Sequence, residues 1–128
     1  MRHATLVAAA MILAAGTAAA GGHGPQEMNG EALRKALTGR TIHLDTPLGG
    51  LPISFRADGT MWGTAGSLAS YEGSERDRGR WWISADQLCQ RWNTWLGGQS
   101  YCFRLRQHGR TVHWTRNDGL SGVATIRR

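Results

Sequence analysis

Three features of the sequence predict a mainly β protein. Apolar and polar residues alternate with period two from Thr41 onward, Gly-containing turn signals recur between the alternating runs, and glycine is abundant (18 of 128). The expected fold is an antiparallel meander forming a curled sheet or a small up-and-down, lipocalin-like barrel, with one short N-terminal helix and one disulfide. Six or seven short strands are expected, and glycine suits both their tight turns and the bends of a curled sheet.

The N-terminus carries a targeting pattern. Arg2 and His3 precede an uncharged apolar run, Ala4 to Ala15, and Ala18-Ala19-Ala20 forms a small-x-small site. That is the layout of a secretory signal peptide over residues 1–20, cleaved after Ala20. The run is shorter than the roughly 20 apolar residues that span a membrane. No Arg-Arg pair precedes it, so general secretion is the expected route. The mature chain then begins at Gly21 without a transmembrane segment. Residues 21–28 are Gly/Pro-containing and read as a disordered leader, and residues 29–128 as a single β domain.

Asn29 is placed to cap a helix, and Glu31 suits the positive end of its dipole. Ala32, Leu33, Ala36 and Leu37 form one apolar stripe before Gly39 ends it. Strand grammar follows. Thr41 to Asp45 alternates until Pro47 and Gly49-Gly50, and Ile53 to Arg56 runs into Asp58-Gly59. Taking Asp58-Gly59 as a two-residue loop places Phe55 opposite Trp62 and Arg56 opposite Met61. Leu68 to Arg80 is polar and charged and reads as a long connection or irregular edge. Trp81 and Ile83 then share a strand face. With Gly109-Arg110 and Asp118-Gly119 as two-residue loops, Leu105, Trp114 and Val123 fall in one cross-strand row.

Cys89 and Cys102 are the only cysteines. In an exported chain they are expected to pair, and they lack the C-x-x-C spacing of a zinc site. The formal charge of +6 comes almost wholly from arginine. It fits an anionic envelope component or an acidic protein as partner, or solvated strand faces, since no basic run exceeds two residues. Export argues against a nucleic-acid partner.

A resemblance can be stated from the order of short motifs. L-x-G-x-T (Leu37, Gly39, Thr41) is followed by D-G-T (Asp58 to Thr60) and G-x-W (Gly79, Trp81). L-C-x-x-W (Leu88, Cys89, Trp92) and Cys102 complete the set. Together they resemble an uncharacterised family of small secreted alphaproteobacterial proteins. The resemblance implies an envelope β domain with a disulfide, and it carries no catalytic residue or ligand.

Candidate binding residues are Arg91, Trp92, Trp95 and Tyr101, in or beside the Cys89–Cys102 loop. Held at both ends, that loop could stack on sugar rings or enter a headgroup layer; alternatively Trp92 plugs one end of the sheet as core. His23 would be the third mature residue and could hold Cu(II) adventitiously with the terminal amine. His43, His108 and His113 form no metal set, because His113 lies opposite Arg106, so no metal and no cofactor are expected. No G-x-S-x-G, H-E-x-x-H or phosphate-loop motif occurs, and no catalytic residue is assigned. The leading expectation is a periplasmic or secreted, non-catalytic binding or accessory module, with a small apolar ligand suited to the concave side of such a sheet. The alternatives are a secreted inhibitor using the disulfide loop, and a small hydrolase.

Overall fold

The computed structural model describes residues 24–47, 49–66 and 74–127. The signal segment, His23, Leu68 and the rest of 67–73 lie outside the described residues. Among the described residues nine strands form one antiparallel sheet. They are β1 (Gln26–Glu27), β2 (Arg40–Thr46), β3 (Gly49–Phe55), β4 (Thr60–Thr64), β5 (Arg76–Ser84), β6 (Gln87–Trp92), β7 (Ser100–His108), β8 (Thr111–Arg116) and β9 (Ser121–Arg127). Each of β2 to β9 pairs with the next, and β2 also pairs with β9, which closes an eight-stranded up-and-down barrel. Closure leaves the barrel without an exposed edge. The Cys89–Cys102 disulfide joins directly opposed residues of β6 and β7.

Helix α1 (Gly30–Leu37) seals one end. It is capped by Asn29, whose side chain accepts the Ala32 N–H at 2.9 Å. A carboxylate also holds its start: Asp86, in the β5–β6 turn, accepts the Gly30 N–H at 2.8 Å. The helix touches β2 on one side of the barrel and β5 and β6 on the other, so it crosses the opening. Leu33 and Leu37 point inward and are fully buried. Burying a leucine fully stabilises by about 1.5–3 kcal/mol, which is what holds so short a helix in place.

Residues 26–28 are not a disordered leader. Gln26 and Glu27 pair with Gln107 and Arg106, the Met28 N–H bonds to the Leu105 carbonyl at 2.9 Å, and Met28 is buried. Beyond the stretch that pairs with β6, β7 offers a free edge, and this short segment covers it.

Both D-G hairpins depart from the expected register by one residue, for one reason. In each, a three-residue loop replaces the two-residue one. The Gly59 N–H bonds to Arg56 O and the Gly119 N–H to Arg116 O, with both glycines at positive φ (86° and 94°). Asp58 and Asp118 fold back onto the N–H groups of Thr60 and Leu120. This is a turn followed by a left-handed glycine bulge. Phe55 therefore faces Met61, and Ser54 faces Trp62, which turns Trp62 outward. At the other hairpin Trp114 faces Gly122 rather than Val123, while the Leu105–Trp114 pairing is as expected. A Cβ on Gly122 would lie 2.4 Å from the Trp114 ring, so only glycine lets the indole lie across β9.

The charged run before Trp81 is also not irregular throughout. Arg76 to Arg80 belong to β5, where Asp77 and Gly79 point inward and the arginines outward. The inward positions are not apolar, which hides the strand from a hydrophobic-period reading.

Candidate functional site: a half-filled barrel interior

The interior divides into two halves. One, lined by β4, β5 and the end of β6, is packed with large side chains. Met61, Trp81, Trp92 and Trp95 are buried there. The Trp92 and Trp95 rings lie 4.7 Å apart, and Trp81 meets Phe55 edge-on at 5.6 Å while donating its indole N–H to Arg56 O at 2.9 Å. Room for these rings comes from two glycines. A Cβ on Gly63 would sit 2.3 Å from Trp95, and one on Gly79 would sit 2.4 Å from the Arg91 carbonyl oxygen.

The 3-10 turn Trp95–Gly98 in the disulfide loop is held to this half by a buried carboxylate. One Asp77 oxygen, Oδ2, accepts the N–H groups of Thr94 and Trp95, both at 2.8 Å. Burial pushes the Asp77 pKa up, but the hydrogen bonds from Trp95, Thr94 and Arg78 outweigh it, so it ends below the ordinary carboxylate value. The Trp95 indole N–H in turn reaches Ser74 at 3.1 Å.

The other half is hollow. A cavity of about 170 Å³ runs from Phe55 and Leu105 towards Leu96 and Arg116, away from the helix-sealed end. Its walls are aliphatic and small on β2, β3, β8 and β9: Ile42, Leu44, Leu51, Ile53, Val112 and Ala124. An eight-stranded barrel leaves space either for side chains to fill or for one small ligand. Here Trp81, Trp92 and Trp95 fill one side, while on the other Trp114 lies across Gly122 and space remains beside it.

One polar side chain faces this space. Gln90, between Leu88 and Trp92 on the inward side of β6, is 7% exposed and lines the cavity. Its amide makes no hydrogen bond to protein among the described residues, yet it is not sealed off by packing, as the Trp114 indole N–H is. It is the Trp114 indole N–H, on the β8 wall of the cavity, that is both buried and unpaired, a state that costs about 1–3 kcal/mol. At the far end of the cavity Arg116 is gripped by Asp118 through two bonds of 2.8 and 2.7 Å, and its guanidinium lies 4.2 Å from the Tyr101 ring centre. The Arg116 side-chain bonds hold Asp118 down to a pKa of about 2. The pair neutralises the arginine, leaving the cavity without net charge.

The disulfide loop does not present its tryptophans as a surface. Trp92 and Trp95 are 3% and 2% exposed, because both rings turn into the barrel, where they border the cavity. Arg91 points outward and bonds to Gly98 O at 2.8 Å, while Tyr101 is half-buried beneath Arg116. The four expected binding residues are thus separated: two in the core, one outside, one half-buried under Arg116. Gln90, which sequence reasoning passed over, is the residue whose chemistry is unfulfilled. Its inward position was readable from the Leu88–Gln90–Trp92 alternation.

His113 does pair with Arg106 across β7 and β8. Among the described residues, no three His, Cys, Asp or Glu side chains are arranged to hold a metal ion. Burial, helped by the positive Arg127, lowers the His43 pKa. No described helix is long and apolar enough to cross a membrane. The fold and site define a closed antiparallel barrel with a helix across one end and a partly empty apolar interior. No family model, no curated protein and no solved structure matches the chain.

Proposed function

We propose that the protein is an exported, non-catalytic binding module that holds one compact, mostly apolar molecule carrying a single polar group. The observation that carries this reading is the Gln90 amide, unpartnered and facing a cavity of about 170 Å³ with apolar walls. An engineered apolar cavity of roughly 150 Å³ takes up benzene, so a ligand of single-ring size fits by volume. Its polar group would meet Gln90, which both donates and accepts. A carboxylate is disfavoured, because Arg116 is already neutralised by Asp118. The signal-peptide pattern and the Cys89–Cys102 bond support a periplasmic or secreted setting.

The test compares p-cresol with toluene by thermal shift, since a ligand that binds only the folded state raises the melting temperature. p-Cresol is expected to bind about fivefold more tightly, from one net hydrogen bond. Gln90→Leu should abolish that preference and improve toluene binding. If neither compound shifts the melting of the parent protein, the reading fails.

A further inference from the structure

The outer wall of the barrel carries charge on one side. On β4, β5 and β6 the outward positions bring together Arg76, Arg78, Arg80 and Arg91, and Arg56 joins them from the adjoining turn; all are exposed. Arg80 and Arg91 face each other directly across the β5–β6 ladder. Like charges so placed destabilise a sheet. Two tryptophans stand among them. Trp62 lies under Arg78, whose guanidinium carbon is 3.8 Å from the ring centre, with Arg56 at 6.0 Å, and Trp82 is 40% exposed.

Nearby acids are fewer than the arginines and form no close ion pair with them among the described residues. Among the described residues, Asp58 bonds to Thr60 and faces only Arg56 electrostatically, Asp86 holds the helix start, Asp77 points into the interior, and Glu75 stands at the edge. Among the described residues none of the five arginines forms an ion pair, and the two pairs that exist involve Arg104 and Arg116. The opposite wall is different in kind. Its outward positions on β2, β8 and β9 include Thr41, Thr111, Thr115 and Thr125, with His43 and His113, and carry one arginine, Arg127, and one acid, Asp45.

We propose that the β4–β6 wall is a docking surface for an anionic lipid bilayer. Charge complementarity supports this, and so does shape. The arginines spread over the outside of the barrel, about 14 Å along the strands and about 10 Å across them, too widely to converge on one small anion. Indole rings beside guanidinium groups suit a headgroup layer, where the ring sits at the boundary and the charge meets phosphate. An acidic protein could meet the same guanidinium groups, and the salt- and lipid-dependence of binding separates it from a bilayer. The inference is independent of what the barrel holds.

The test is co-sedimentation of the purified protein with phosphatidylcholine vesicles, with and without about one-third phosphatidylglycerol. Binding is expected only to the anionic vesicles, falling as salt is raised. Replacing Arg78, Arg80 and Arg91 together by glutamine should weaken it on the order of a hundredfold, about fivefold for each residue. A control triple, Arg40, Arg110 and Arg127 to glutamine, removes equal charge elsewhere and should weaken it far less. Melting temperature confirms that both variants fold. Equal losses in the two triples would reduce the effect to net charge and overturn the proposal. So would equal binding to neutral vesicles, or binding to soluble dextran sulfate with none to vesicles.

Discussion

The two halves of the barrel interior are enclosed by the same closed sheet and differ in how they are filled. On the β4–β5 side, glycines at 63 and 79 stand back so that three tryptophans and Met61 interdigitate. On the β2–β9 side, the inward residues are branched aliphatics and Ala124, and a void remains. A close-packed region responds to the loss or gain of one group, whereas a region with spare volume absorbs it. Stability and binding are therefore expected to reside in different halves.

The comparison can be broken most forcefully by emptying the full side. Trp95→Ala is expected to cost about 4–5 kcal/mol in denaturant unfolding, because the ring contacts Trp92 and fills the space Gly63 provides. A loss under about 1 kcal/mol would mean that half is not tightly packed. Overfilling the same side comes next. Gly79→Ala pushes a Cβ against the Arg91 carbonyl, backbone that cannot rotate away, and should cost about 3 kcal/mol.

Asp77→Asn is smaller, about 1–2 kcal/mol at neutral pH, since an amide oxygen can still accept the Thr94 and Trp95 N–H groups without charge. It also has a pH signature. The Asp77 pKa is lower in the folded than in the unfolded chain, so its contribution is present above the ordinary value of about 4 and fades as pH falls towards the lower folded value. A melting-temperature profile of the variant should lose that share of its acid-side decline. Asp58 and Asp118, also lowered, keep theirs. An unchanged profile would remove Asp77 from the account.

Filling the hollow side should matter least to stability. Ala124→Leu adds volume to a void and is expected to change unfolding by less than about 1 kcal/mol while eliminating p-cresol binding. A large loss of stability there would erase the contrast between the halves.

Much of this was legible in the residues. The Asn29 cap, the Leu33–Leu37 stripe, the meander and the cysteine pair follow from local chemistry with short reach. The errors share a cause as well. A D-G pair signals a hairpin but does not fix whether two or three residues form its loop, and that single residue decided that Trp62 faces outward and that Trp114 lies on Gly122. β5 was obscured because its inward residues before Trp81 are Asp77 and Gly79, each required by a distant partner. The cavity is a property of volumes summed over six strands, and no local pattern reports it. Gln90 was readable as inward, but without the void beside it nothing marked its amide as unfulfilled.

The barrel closes by joining its first strand to its last. Ile42 meets Ile126, and the segment before the helix meets Gln107, so the seam lies between distant parts of the chain. Strands β2 to β8 can zip together hairpin by hairpin, but the ring stays open until Ser121–Arg127 arrives. A polypeptide emerging in order would carry two bare edges until β9 was free, and would then complete the interior in one step. Slow, late folding in the millisecond-to-second range is the expected result.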